Sequence, residues 1–279
     1  MKIKLLWTAA LVGLTLPLGA APLTKSTFTE IIRDVNTLSA AGNAALAQVN
    51  GVLQAPDRVR TGPASRAELT APDNTITRVG ANTVFAFADS GRTVDLEQGS
   101  LLFHAPKGIG GGTIKSGGAA AAVLGTTLIV SATPAGGFKV ILLEGKGKIT
   151  LPNGKSVTLK AGQLVFVLPG GKTFSSVLDI NLANLVVGSL LVNGFSHSLS
   201  SLRLIQSAIN QQNSQLASGH AVDTGLSANG LNSIDPGTYQ NAAHPPLSPG
   251  QLANLTSAKP NAGTVNGTPG GRGFTPLGF

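Results

Sequence analysis

The sequence predicts an all-β domain of about 10–12 short strands, a sandwich or a solenoid-like β-roll, with a C-terminal helical hairpin and a disordered tail. Over 49–167, runs rich in Val, Ile, Leu and Thr recur between clusters of Gly, Pro, Asn and Asp. Charged residues make up 11% and aromatics 4% of a chain with 36 Gly, a composition suited to turn-rich sheet rather than to a helical bundle. After Lys172 the spacing of apolar residues lengthens to that of helices.

Residues 1–21 combine Lys2 and Lys4, an apolar run over 5–18 and small residues before Pro22, the layout of a secretory signal peptide cleaved near Ala20 or Ala21. The run is shorter than the ~20 residues a spanning helix needs. Residues 22–45 are expected to hold an N-terminal strand, 25–38, and a small-residue connector. The β-domain proper is expected over 46–172. It opens with 58–85, where Thr61-Gly62-Pro63 bends the chain, 66–70 alternates, Pro72-Asp73-Asn74 supplies a turn and 75–79 alternates again. Further strands are expected at 93–96, 100–104, 112–115, 119–123, 127–132, 138–143, 146–151, 155–159 and 164–167. Their separators are Gln98-Gly99, 108–112, 134–137, Gly145, Pro152-Asn153-Gly154 and Ala161-Gly162, of which Asn153-Gly154 suits a tight hairpin.

Residues 173–218 read as the helical hairpin. One apolar segment spans 176–193 and ends at Asn193-Gly194. A second opens with Ser198 as N-cap, aligns Leu199, Leu202, Ile205, Ile209 and Leu216 on one face, and stops at Gly219. The hairpin is expected to cover one face or an open edge of the sheet. Residues 219–279 are dense in Gly and Pro and read as a flexible tail.

Several blocks resemble those of the FecR domain, the periplasmic β-domain of iron-uptake signalling regulators. They are Val59, Thr61, Gly62, 65–69, Asp73, Ile76, Arg78, Gly80, Asn82 and Thr83; then Leu96-Glu97-Gln98-Gly99 with 101–103; Val123-Leu124-Gly125-Thr126-Thr127; Leu143-Glu144-Gly145; and Leu159-Lys160-Ala161-Gly162-Gln163. Each is common alone, but five blocks in order over about half the chain form a joint signal. The resemblance implies a periplasmic domain that receives a signal from an outer-membrane receptor and is joined through a membrane helix to a segment controlling a sigma factor. This sequence offers no cytoplasmic segment before its leader and no later spanning helix, so the expected inheritance is the fold and an envelope-contact role, without direct sigma-factor control.

Enzyme signatures are weak. His104, His197, His220 and His244 have no ligand spacing and there is no Cys, so no metal site, disulfide or thiol nucleophile is expected. Glu68 shares a strand face with Arg66, read as a surface ion pair, and Asp95 shares one with Glu97, a glycosidase pair only within a cleft. The Gly-rich stretch 107–117 lacks the spacing of a phosphate loop, and no nucleophile elbow occurs. Gly125 follows four alanines and marks a close backbone approach.

The net charge of +8 is spread singly among turns without interleaved aromatics, which argues against nucleic acid. The expectation is an exported, non-enzymatic module, periplasmic or at the cell surface, without cofactor, that binds an envelope protein, surface polymer or ligand or senses a signal. The alternatives are a self-associating envelope scaffold and, third, a polysaccharide hydrolase. No catalytic, cofactor-binding or metal residue is assigned. A binding site is expected only in general terms, where the later strands, Gly125 and the helical hairpin meet.

Overall fold

The computed structural model describes residues 21–134, 136–168 and 170–218. The expected leader, apart from Ala21, lies outside these residues, as do the expected tail with its His220 and His244 and the Gly219 stop.

The chain alternates between hairpin turns and corners that carry it from one sheet layer to another. Strands β1 (Lys25–Ile32) and β2 (Val35–Leu38) form one extended segment bent at Arg33, which has φ 65°. β3 (Ala44–Leu46) folds back on β2, and β4 (Val52–Gln54) returns to β1. β5 (Arg58–Thr61) pairs with β2; after the corner at 62–65, β6 (Arg66–Thr70) pairs with β1. β7 (Ile76–Val79) closes a hairpin with β6, and β8 (Val84–Phe87), past the next corner, pairs with β5.

The 13-residue β9 (Thr93–Ala105) belongs to both layers, since its first half pairs with β8 and its second with β7. The remaining strands are β10 (Gly112–Ser116), β11 (Ala119–Val123), β12 (Thr126–Ala132), β13 (Phe138–Glu144), β14 (Lys146–Thr150), β15 (Ser156–Lys160), β16 (Gln163–Val167) and β17 (Leu178–Asp179). The first layer runs β4-β1-β6-β7-β9-β12-β13-β16-β17. The second runs β3-β2-β5-β8-β9-β10-β11-β14-β15, with the β9–β10 pair the parallel one.

This is an all-β architecture as expected, with more strands, seventeen among the described residues. Two expectations are corrected. The end of the 22–45 segment is not merely a connector, because Ala44–Leu46 pairs with β2, and the sheets begin at Lys25. Gln98-Gly99 is not a turn: the register with β8 shifts across Glu97 and Gly99 takes φ 89° just after it, so a bulge bends one strand from layer to layer.

The inner core lies between the layers. Phe85, Phe87, Leu101, Phe103, Leu142 and Val165 are among the residues that fill it. The other face of the first layer is also covered, by Leu102, Ile129, Ile141, Leu143 and Phe166 packing beneath the helices. Burial on both faces explains why β13 reads as an unbroken apolar run with all seven residues buried, whereas β15 alternates.

The helical region is more divided than the expected hairpin. β17 comes first, then α1 (Leu182–Gly188), capped by the Asn181 side chain accepting from Asn184 N–H, then α2 (Leu190–Asn193). Ser189 is extended between α1 and α2 and breaks what the apolar pattern presents as one helix. α3 (Leu202–Ala217) starts at Ser201 rather than Ser198, without a side-chain cap bond. Ile205 and Ile209 are buried against the sheet as expected, but Leu202 is exposed.

Two arginines fasten this arrangement. Arg78 on β7 is fully buried; it pairs with Glu68 on β6 at 2.7 Å and donates to the carbonyls of Leu191, Val192 and His197. Its guanidinium also lies 4.4 Å from the Phe195 ring centroid. It therefore caps the carbonyl end of α2 and holds the 193–197 loop on the sheet. The expected Glu68–Arg66 surface pair is thus corrected: Glu68 turns to Arg78, and Arg66 donates to Gly194 O. Arg92 likewise bonds Asp73, Thr75, Gly111 O and Ala21 O, joining a hairpin turn, a corner and the start of the described chain.

Candidate functional site

The blocks that carried the sequence resemblance fall mostly at the corners and at these clamps. Thr61 Oγ1 donates to Gly80 O at 2.6 Å and accepts from Thr83 N–H, while Thr83 Oγ1 accepts from Ser100 N–H. Asp73 and Arg78 are members of the two ion pairs. Further along, the corners bring Glu144, Gly145 and the 160–163 turn toward α3.

At that end of the first layer, strands β9, β12 and β13 lie side by side. Each contributes one polar side chain to the helix-covered face: His104, Thr127 and Glu144. His104 Nδ1 lies 2.9 Å from Thr127 Oγ1, whose hydroxyl donates to Glu144 Oε1 at 3.0 Å. With its one proton committed, the Thr127 oxygen accepts from Nδ1–H, which leaves Nε2 of His104 as an acceptor. All three side chains are buried. Burial pushes the His104 imidazole below its ordinary value. It pushes the Glu144 carboxyl above its own, outweighing the opposing Thr127 bonds and the charge of Lys107.

Two adjoining cavities, of about 540 and 450 Å³, share Lys107, Glu144 and Leu204 in their walls. The larger runs between α3 and the corners, with Lys146 and Lys160 on one side and Gln211 and Gln215 on the other. Gln212 fixes the helix there, donating to Ile180 O at 2.8 Å and accepting from Leu182 N–H at 2.9 Å. The smaller is walled by His104, Lys107, Asn74 and the serines at the start of α3. One of these, Ser201, is 1% exposed, and its Oγ has no hydrogen-bond partner among the described residues.

Gly125 stands at the edge of this cleft. Its φ is +111°, and a Cβ added there would lie 2.8 Å from Lys107 Cα, so the corner needs a residue without a side chain. Gly125 lines neither cavity itself; it meets Lys107, which lines both. The other candidates are elsewhere: Asp95 and Glu97 are exposed and line neither cavity, Glu97 pairs with Arg58 at 3.1 Å, and 107–111 is a corner leading into β10. Among the described residues no group of three or more His, Cys, Asp and Glu is placed to hold a metal. The His104–Thr127–Glu144 chain was not foreseen. Its signal was present in part, since three apolar strands carry polar residues near one end, His104 before Ala105, Thr126-Thr127 and Glu144.

Residues 57–148 match the FecR protein family. No curated protein matches the chain. Two crystal structures of a chain described as a "putative anti-sigma factor" from Parabacteroides distasonis ATCC 8503 are similar, each at 19% identity and TM-score 0.39. The alignment covers 44% of this chain and 59% of that one.

Proposed function

We propose that this chain, whose residues 57–148 match the FecR family, is a non-enzymatic signal-sensing or regulatory module of the cell envelope that binds its partner or ligand through the cleft beneath α3. The observation that carries the reading is the convergence, at one end of the first layer, of the family-type corners, a buried His–Thr–Glu chain and a cavity of about 540 Å³, within the size range of ligand sites. A binding role is favoured over catalysis by the order of that chain. The hydroxyl sits between histidine and carboxylate, whereas nucleophile activation needs the histidine between hydroxyl and carboxylate. Export rests on the leader-like residues 1–21, and no helix among the described residues is long and apolar enough to cross a membrane.

Capture from envelope fractions, using the chain with and without 219–279 and with Lys107→Glu, tests this. The expected result is a partner retained without the tail and lost in Lys107→Glu. Retention of every partner by the tail alone would sink the reading, as would polysaccharide cleavage that disappears in Glu97→Gln.

A second reading, a self-associating scaffold, is favoured by one observation. β3 pairs on one side only, and Leu46, Val49 and Val52 around it are 72%, 52% and 59% exposed. Light scattering across a concentration series distinguishes the two, because growth in mass that stops in Leu46→Lys supports the scaffold.

A further inference from the structure

We propose that the joined cleft binds a small organic acid carrying a hydroxyl or amino group near its carboxylate; this names the ligand class of the module proposed above and rests on that reading. The walls divide by chemistry. Lys107, common to both cavities, offers a cation, and Lys146 and Lys160 extend that sign along the larger one. Ser201 lines the smaller cavity with Lys107, and its buried hydroxyl has no hydrogen-bond partner among the described residues, a costly state that turning to a ligand oxygen would relieve. Lysine and serine together suit a carboxylate.

Glu144 and His104 also line the smaller cavity, and a carboxylate oxygen and the His104 Nε2, which no hydrogen bond occupies among the described residues, are acceptors. They suit an O–H or N–H on the same ligand. Burial shifts His104 down and Glu144 up, against the charged form of each. No aromatic residue lines either cavity, which disfavours nucleobases and ligands held by ring stacking. Leu204, Ile180 and Leu216 leave an apolar strip for a short carbon chain.

Isothermal titration of the full chain with gluconate and with glutamate tests the class. Hexanoate supplies a six-carbon carboxylate without a hydroxyl or amine, and sorbitol a six-carbon polyol without charge. Saturable binding of gluconate or glutamate is expected, with both controls at least about tenfold weaker, as befits loss of a charge-assisted contact. Lys107→Met and Ser201→Ala are each expected to weaken binding about tenfold, while Lys172→Met, which lines neither cavity, leaves it unchanged. Should Ser201→Ala fail to fold, the exposed Lys107 decides alone. Absence of saturation with both acids, equal binding of hexanoate, or unchanged affinity in Lys107→Met overturns the inference. Partner capture that persists while neither acid binds removes the ligand class and leaves the module standing; acid binding with no envelope partner does the reverse to the partner-capture reading.

Discussion

Both faces of the first layer are covered, but by different chemistry. Toward the second layer it presents Leu101, Phe103, Leu128, Val130, Leu142 and Val165, a continuous apolar surface. Toward the helices, the same strands mix Leu102, Ile129 and Ile141 with Arg78, His104, Thr127 and Glu144. The inner face is held by area and close packing, which tolerate no special geometry but punish lost volume. The outer face also depends on paired polar groups, which fix where the helices sit and are costly when one member is removed. The two cavities lie on the outer face, beside these polar groups.

Removing one member from each face gives the largest expected effects and tests the contrast directly. Phe103→Ala should cost about 3–5 kcal/mol through lost burial and a cavity. Arg78→Met should cost a similar amount, about 3–5 kcal/mol, by leaving Glu68 buried without its partner. Urea denaturation distinguishes them: adding Glu68→Leu to Arg78→Met should recover the part of the loss that comes from the uncompensated Glu68 carboxylate and leave the part that comes from the unmet Leu191, Val192 and His197 carbonyls, and no recovery at all would mean that the pair is not what stabilises that face. Hydrogen exchange over 190–205 should rise in Arg78→Met and stay raised in the double variant, since both lack the donor to the Leu191, Val192 and His197 carbonyls.

A corner substitution comes next. Gly125→Ala should cost about 2–3 kcal/mol, since a left-handed residue would be forced against the Lys107 backbone. Gly154→Ala, at φ +82° with open space around it, should cost about 1 kcal/mol. Equal losses in thermal unfolding would show that backbone crowding at the cleft is unimportant.

The pH dependence of the outer face follows from Glu144. Its folded carboxyl titrates above the ordinary 4.5, so between these values the folded state holds a proton that the unfolded chain has released. That contribution is complete below 4.5 and is lost as pH rises through the folded value. Glu144→Gln should therefore gain on wild type as pH increases, with no such gain below 4.5. His104 works in the other direction, because its folded value lies below 6.5 and stability falls as pH drops from 6.5 through it. Denaturation midpoints from pH 4 to 8 for wild type and Glu144→Gln should separate the two; parallel curves would contradict the assignment. The smallest effect is expected on the second layer's solvent side, where Glu97→Gln breaks the exposed Arg58 pair at a cost of no more than about 0.5 kcal/mol.

The strand rhythm was legible because apolar runs and turn residues are local signals. Residues 66–70 and 119–123 are strands at those bounds, and the 138–144 run is buried throughout. What could not be read was which neighbour each strand finds. Gln98-Gly99 has turn chemistry, yet the chain passes through it without reversing, since a positive φ serves a bulge as well as a turn. Glu68 seemed to belong to Arg66 two residues away, but its partner comes from the next strand, at Arg78. The candidate site had the same difficulty: His104, Thr127 and Glu144 are spaced over forty residues and meet only through the register of three strands. The likeness to a known family marked their neighbourhood without naming their contacts.

The Arg78 clamp also has a consequence for timing. Its carbonyl partners stand 113 to 119 residues further along the chain, whereas each strand hairpin joins segments only a few residues apart. A chain that emerges from its amino end can zip successive hairpins as they appear, but this guanidinium stays hydrated until the 191–197 stretch arrives. Closure of the outer face is therefore expected to follow pairing of the inner strands, and a folding experiment that watches Phe195 or α3 should lag one that watches those strands.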